Sequence, residues 1–163
     1  MQFTSVQDIN APLEHVFEQI SDFDSYEAYA MRIGANVDRQ DQLTGKAAGM
    51  CWNFQGELRG KERDIDIELT EYNPTRHLQF NCVSSGIAAL VDIEVMALTK
   101  KQTRIKVTIN LKARSISARL VMQSAKLAKN SLQRKFNHRV WTYANYLEGT
   151  FNKKRRRRNQ PRD

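Results

Sequence analysis

The sequence predicts an α+β domain in which a curved antiparallel sheet packs against one long C-terminal helix. Three observations carry the prediction. An opening strand leads into a Pro-initiated helix, a long middle region alternates apolar and polar residues, and about 31 residues near the C-terminus carry apolar side chains at helical spacing. A sheet and a helix each have one apolar face, and the two bury those faces on each other. A curved sheet around a helix leaves a hollow between them, and hollows of this kind hold ligands.

The elements follow in order. Phe3 to Ile9 reads as the first strand. Pro12 then stands where a first helical turn accepts it, and Leu13, Val16, Phe17 and Ile20 recur at helical spacing up to Ser21-Asp22. A second short helix, Phe23 to Met31, places Phe23, Tyr26 and Ala30 on one face, with Gly34 as its C-cap. A strand over Ala35 to Gln40 and a polar loop to Gly49 lead into the alternating region.

There, Met50, Trp52, Phe54, Gly56 and Leu58 share one face; so do Ile65, Ile67 and Leu69; Leu78, Phe80 and Cys82; Ala89, Val91, Ile93 and Val95; and Ile105, Val107, Ile109 and Leu111. One apolar side per strand predicts an antiparallel sheet with one wet face. Hairpin geometry tests this, because opposed residues share a face. A Gly60-Lys61 turn pairs Leu58 with Arg63 and Phe54 with Ile67. Ser85-Gly86 pairs Ser84 with Ile87, Cys82 with Ala89 and Phe80 with Val91. The Asn73-to-Arg76 turn pairs Leu69 with Phe80, and a loop at Lys100-Lys101-Gln102 pairs Val95 with Val107 and Ile93 with Ile109. On the wet face, Asp92 and Glu94 are expected diagonal to Lys112 and Lys106.

The last helix is expected from near Ser117 to about Leu147, capped by Ser115 or Ser117, with a length of about 46 Å. Its stripe is Ala118, Val121, Met122, Ala125, Leu132, Phe136, Val140, Tyr143 and Leu147. Small residues crowd the first half, which leaves room for a kink or break. Seven strands, two short helices and this long helix make one domain over residues 1–151, with 152–163 as a disordered basic tail.

The charge is unevenly placed. Residues 1–94 hold 7 Lys+Arg against 16 Asp+Glu, whereas residues 95–163 hold 19 against 2. Opposed strands on the wet face account for part of the division, and the run Lys153 to Arg158 for another part. No stretch reaches the roughly 18 apolar residues of a membrane span, and the N-terminus lacks the pattern of a secretory signal. A cytoplasmic protein with reduced Cys51 and Cys82 is expected. The three histidines, His15, His77 and His138, lie far apart, so neither a metal nor another cofactor is expected.

Ile9-Asn10-Ala11-Pro12, Val16-Phe17 and Asp22 resemble the opening of polyketide cyclase/dehydrase and lipid-transport proteins. The Glu71-Tyr72-Asn73-Pro74 turn, the Thr103-Arg104-Ile105-Lys106-Val107 strand and the terminal helix resemble the same superfamily, which includes START and Bet v 1-like proteins. The resemblance covers about residues 3–148 and implies a helix-grip fold: a seven-stranded curved antiparallel sheet wrapped round the C-terminal helix. It also implies an apolar or amphipathic ligand in the cavity between them. Some members of the superfamily act on polyketides and others carry lipids or hormones.

Face parity nominates the cavity lining: Trp52, Phe54, Leu58, Ile65, Ile67, Leu69, Leu78, Phe80, Val91, Ile93, Val95, Val107 and Ile109, with Gly56, Cys82, Ser84, Ala89 and Ala97 leaving space. The helix adds Phe136 and Tyr143. Arg63 shares the inward parity and is a candidate anchor for a ligand carboxylate or enolate. Its alternative is a strand-end position with the guanidinium in water. The strand carboxylates Asp64, Asp66, Glu68, Asp92 and Glu94 point outward by parity. Tyr26, Tyr29, His138, Tyr143 and Tyr146 remain as rim donors, and nothing forms a nucleophile–base pair.

Arg119, Lys126, Lys129, Arg134, Lys135 and Arg139 mark a basic helix face, continued in the tail by Lys153, Lys154, Arg155 and Arg156. Leu120, Leu127 and Trp141 lie off the main stripe. That second stripe suits cover by the first helices, a homodimer contact or a membrane surface. Three functional classes therefore stand: a binder of a small hydrophobic or aromatic molecule, an enzyme of the polyketide cyclase/dehydrase kind, and a module binding polyanions such as nucleic acid, a membrane or a protein through its basic surface.

Overall fold

The computed structural model describes residues 1–57 and 60–158. The chain runs β1 (Gln2–Ile9), α1 (Leu13–Ile20), α2 (Phe23–Arg32), β2 (Asn36–Arg39), β3 (Cys51–Glu57), β4 (Glu62–Asn73), β5 (His77–Ser84), β6 (Ile87–Thr99), β7 (Gln102–Ala113), α3 (Ile116–Leu127) and α4 (Lys129–Arg158). The strands form one antiparallel sheet in the order β1-β7-β6-β5-β4-β3-β2. The first two strands thus close opposite edges, and α1 and α2 cross between them at one end. This is the helix-grip architecture.

Local chemistry sets the boundaries. Pro12 is the N-cap of α1, where its missing N–H costs nothing. Asp22 caps α2 by accepting from the Ser25 amide at 3.3 Å. Ser115 caps α3 by accepting from the Ala118 amide at 3.1 Å. The β5–β6 hairpin turns through Ser85 and Gly86, both at positive φ (47° and 75°), the conformation that matches a two-residue turn to strand twist.

Two hairpins pair as the sequence predicts: Ser84 opposes Ile87, Cys82 opposes Ala89, Phe80 opposes Val91 and Leu69 opposes Phe80. The other two are displaced by two residues. Phe54 opposes Ile65 and Gly56 opposes Arg63, so the β3–β4 connection is longer than Gly60-Lys61; Leu58 lies outside the described residues. Val95 opposes Ile105 and Ile93 opposes Val107, because the turn is only Lys100-Lys101, with Thr99 opposite Gln102, and an irregularity between Ala97 and Thr99 takes up one further residue. A shift of two preserves every face, so alternation alone cannot detect it. On the outer face Glu94 directly opposes Lys106 and pairs with it at 2.8 Å, while Asp92 opposes Thr108, not a diagonal Lys112. Asp92 instead accepts from the Gln79 amide at 2.8 Å.

The expected single helix is two helices. α3 gives way at its C-cap, Ala128, and only Ala118 of its residues is buried. The residues around Ala128 are good helix formers, so local propensity does not cause the break. The second half of the predicted stripe is where packing occurs: Val140, Ala144 and Leu147 are buried, whereas Val121 in the first half is exposed. α4 also continues to Arg158, past the expected end near Leu147 and through residues 152–158 of the expected unstructured tail. Lys154 near this end pairs with Glu18 of α1 at 3.3 Å.

α4 is tied along β1 by side chains. The Gln133 amide donates to the Thr4 carbonyl at 2.9 Å, and the Glu148 carboxylate accepts from the Asn10 N–H just beyond the strand at 3.1 Å. His15 of α1 reaches α4 as well, with Nε2 at 3.3 Å from the Leu147 carbonyl and 3.0 Å from the Thr150 hydroxyl. The closed core lies under this junction: Ile9, Val16, Ile20, Leu69, Leu78, Ile105 and Leu147 are at most 4% exposed.

Candidate functional site

The inward faces of β4, β5, β6 and β7 divide into three rows. Leu69, Leu78, Val95 and Ile105 belong to the closed core, and Ile105 also borders the adjoining cavity. Two residues further along the same strands, Ile67, Phe80, Ile93 and Val107 line a cavity of about 490 Å³. Another two residues on, Ile65, Cys82, Val91 and Ile109 are partly exposed and stand beyond the cavity lining. The rows reflect what covers the sheet: α1, α2 and the middle of α4 cross one end, and α3 does not press onto the other.

Opposite the sheet, Ile20 of α1 and Phe23, Tyr26, Glu27 and Ala30 of α2 line the cavity. Val37, Trp52 and Phe54 form one side, and Arg139, Val140 and Tyr143 contribute from α4. Phe23 stands edge-on to both Trp52 (5.5 Å between ring centroids) and Phe80 (6.0 Å), which fixes the aromatic wall. The volume lies within the range of small-molecule sites, and the lining is overwhelmingly hydrocarbon.

The polar groups are few and mostly committed. Glu27 accepts from the Trp52 indole N–H and stands 3.9 Å from the Arg39 guanidinium. Arg39 lies over the Trp52 ring at 5.2 Å and forms a forked pair with Asp41. Asp41 also accepts from the Leu43 and Cys51 amides at 2.9 and 2.8 Å, and the Arg39 hydrogen bond holds its carboxyl well below the usual carboxylate range. These groups lock the β2–β3 loop, and the Glu27 carboxylate is occupied by the indole and guanidinium beside it.

At the rim, the Tyr26 hydroxyl lies 3.0 Å from the Gln19 carbonyl and also meets the Tyr143 hydroxyl. Tyr26 has a single proton and the carbonyl has none. Both contacts are hydrogen bonds only when Tyr26 donates to Gln19 and Tyr143 donates to Tyr26. The Tyr143 oxygen is then left with acceptor capacity. Burial pushes both phenols above their ordinary range, so each stays protonated at neutral pH. Arg139, one helical turn before Tyr143, also lines the cavity; among the described residues it forms no ion pair.

Of the residues nominated from sequence, the structure gathers Trp52, Phe54, Ile67, Phe80, Ile93, Val107 and Tyr143 around the cavity. Leu69, Leu78 and Val95 belong to the closed core instead, and Ile65, Cys82, Val91 and Ile109 lie beyond the lining. Phe136 packs on Phe3, 6.3 Å between ring centroids, and is absent from the lining. Arg63 opposes Gly56 near the end of β4, is partly exposed and is not among the residues that line the cavity. Arg139 of α4 is the arginine that lines the cavity. Sequence reasoning assigned it only to a basic face, although its i, i+4 spacing to Tyr143 was a usable signal. Phe23, Tyr26 and Ala30 shared a predicted helical face, but only Tyr26 was expected at the cavity, as a rim donor; all three line it.

Cys51 and Cys82 are both unpaired, and burial pushes the Cys82 thiol up to about 11, far from a reactive thiolate. Among the described residues no cluster of His, Cys, Asp and Glu could hold a metal ion. Arg119, Lys126, Lys129, Arg134 and Lys153 to Arg156 are all exposed, the first three at α3 and the start of α4 and the last four at the far end of α4.

Fold and cavity together define a helix-grip protein with an apolar chamber between sheet and C-terminal helix. The chain belongs to the polyketide cyclase/dehydrase and lipid transport family, whose model matches residues 1–144. Solved structures share the fold at low identity. The protein TTHA0849 from Thermus thermophilus is 14% identical, with 92% of this chain and 99% of that one covered at a TM-score of 0.64. The Zhui aromatase/cyclase from Streptomyces sp. R1128 is 14% identical, with 89% and 93% covered and a TM-score of 0.61. A START superfamily protein from Mycobacterium smegmatis is 10% identical, with 82% and 95% covered and a TM-score of 0.55. No curated protein matches the sequence.

Proposed function

We propose that the protein binds a small, largely apolar molecule between the sheet and α4, with its polar end at Tyr143 and Arg139. The observation that carries this is the chamber of about 490 Å³, walled by hydrocarbon and aromatic side chains and edged by the two tyrosine hydroxyls. Burial of apolar ligand surface supplies the affinity. The free acceptor on Tyr143 selects a hydroxyl or another donor, and Arg139 attracts an acidic or carbonyl group beside it.

Mass spectrometry of compounds co-purifying with the folded protein from its native host tests the reading, with Ile93→Trp as the filled-cavity control. A stoichiometric apolar compound, lost in the variant, is the expected result. Equal recovery from both proteins places the compound elsewhere and overturns the reading.

A second reading is chemistry of the cyclase kind, favoured by the family description and the structural likeness to an aromatase/cyclase. Here the chamber would hold a reactive chain in a productive fold, and Tyr143 and Arg139 would stabilise an enolate oxygen once the Tyr143 hydroxyl turns from Tyr26 to donate to it. Incubation with a poly-β-keto thioester separates the two. Faster cyclisation than in buffer, abolished by Ile93→Trp, supports the enzyme, and unchanged product rates leave the carrier.

A further inference from the structure

We infer that α3 is a docking helix for an anionic lipid bilayer. Ile116, Leu120 and Leu127 are 79%, 61% and 93% exposed. They share one face of α3, at spacings of four and seven residues, and the helix's single buried residue, Ala118, lies on the opposite side. A helix that packs with a small residue and turns its large aliphatic side chains outward has its apolar face unpartnered in the monomer.

Charge selects the partner. Arg119 and Lys126 border one side of the apolar face, Arg114 precedes the helix and Lys129 follows it; all four are exposed, and among the described residues none forms an ion pair. No Asp or Glu occurs between Glu94 and Glu148. A second copy meeting this face about a two-fold axis would set the same basic cluster against itself, which like-charge repulsion opposes. Nucleic acid would leave the aliphatic side chains in water, since base stacking calls for aromatic ones. An anionic bilayer satisfies both halves: headgroups meet the Lys and Arg side chains while Ile116, Leu120 and Leu127 enter the acyl boundary. No helix among the described residues is long and apolar enough to cross a membrane, so α3 lies in the plane of the interface.

The test is co-sedimentation of the full chain with vesicles of phosphatidylglycerol and phosphatidylcholine, against vesicles of phosphatidylcholine alone. Binding to the anionic vesicles is expected, falling at least ~10-fold in Leu120→Ser/Leu127→Ser, about the effect of one well-buried leucine. Both leucines are exposed, so this variant keeps the fold, and circular dichroism checks that. Arg119→Gln/Lys126→Gln/Lys129→Gln is expected to lose the preference for anionic vesicles. Neutralising Lys153, Lys154, Arg155, Arg156 and Arg157 together leaves the leucine dependence in place. Wild-type binding by the leucine variant, or no binding by the wild type, overturns the proposal. So does a dimer in analytical ultracentrifugation that the leucine variant dissociates, because α3 would then be a protein interface.

Discussion

Tyr26 and Tyr143, 117 positions apart in the chain, meet hydroxyl to hydroxyl and join α2 to α4 at the rim of the cavity. The Gln19 carbonyl accepts from the Tyr26 hydroxyl and so orders the pair of donors, leaving acceptor capacity on the Tyr143 oxygen.

Tyr143→Phe should therefore discriminate between ligands that differ only in a donor. Isothermal titration with 2-naphthol and 2-methoxynaphthalene reads this. Loss of one hydrogen bond of about 1 kcal/mol weakens 2-naphthol roughly fivefold while leaving the methyl ether nearly unchanged. Equal weakening of both would remove the ordered pair from ligand selection.

His15 should make stability fall in mild acid. Burial, with Lys154 nearby, lowers its pKa; the hydrogen bond to the Leu147 carbonyl and the Glu18 charge only partly oppose this. The unfolded chain takes up a proton near pH 6.5, above the pH at which the folded chain does. The contribution is thus complete above about pH 6.5 and is lost as pH falls toward the lower folded pKa. Nδ1 is buried without a partner among the described residues, so a proton placed there gains no hydrogen bond. Urea melts of wild type and His15→Phe across this window should show a slope that the variant lacks.

Gly86→Ala should destabilise the β5–β6 turn and loosen α3 together. A Cβ there would lie 2.4 Å from the Ser115 hydroxyl, the N-cap of α3, and the residue has φ of 75°. Strain of about 1–3 kcal/mol is expected in chemical denaturation. Hydrogen exchange should quicken first at the Ala118 amide, which that cap holds.

Leu147→Ala should cost about 2–5 kcal/mol, because Leu147 is fully buried where α4 meets α1 and the sheet. A loss under about 1 kcal/mol in thermal or urea unfolding would mean that α4 is held elsewhere.

The sheet was readable because parity is a strong signal: each strand's core face follows from alternation, and Phe80 opposite Val91 follows from the Ser85-Gly86 turn. Position along a strand is a different matter. Leu69, Ile67 and Ile65 have the same parity and similar chemistry, yet one is core, one lines the cavity and one lies beyond it. What separates them is where helices cross, a long-range property absent from the local pattern. The same gap explains Arg63. Its inward parity was legible, and its distance from the covered end was not.

The ties between α4 and β1 also bear on how the protein behaves in a crowded solution. An open sheet ends in two unsatisfied rows of backbone groups, each able to recruit a foreign strand. Here one border is only four residues long, Asn36 to Arg39. The other has its Thr4 carbonyl taken by Gln133, and the amide just past it, at Asn10, by Glu148. The helix that walls the chamber thereby also guards the sheet's longer margin, so loosening α4 would free the strand most able to seed aggregation.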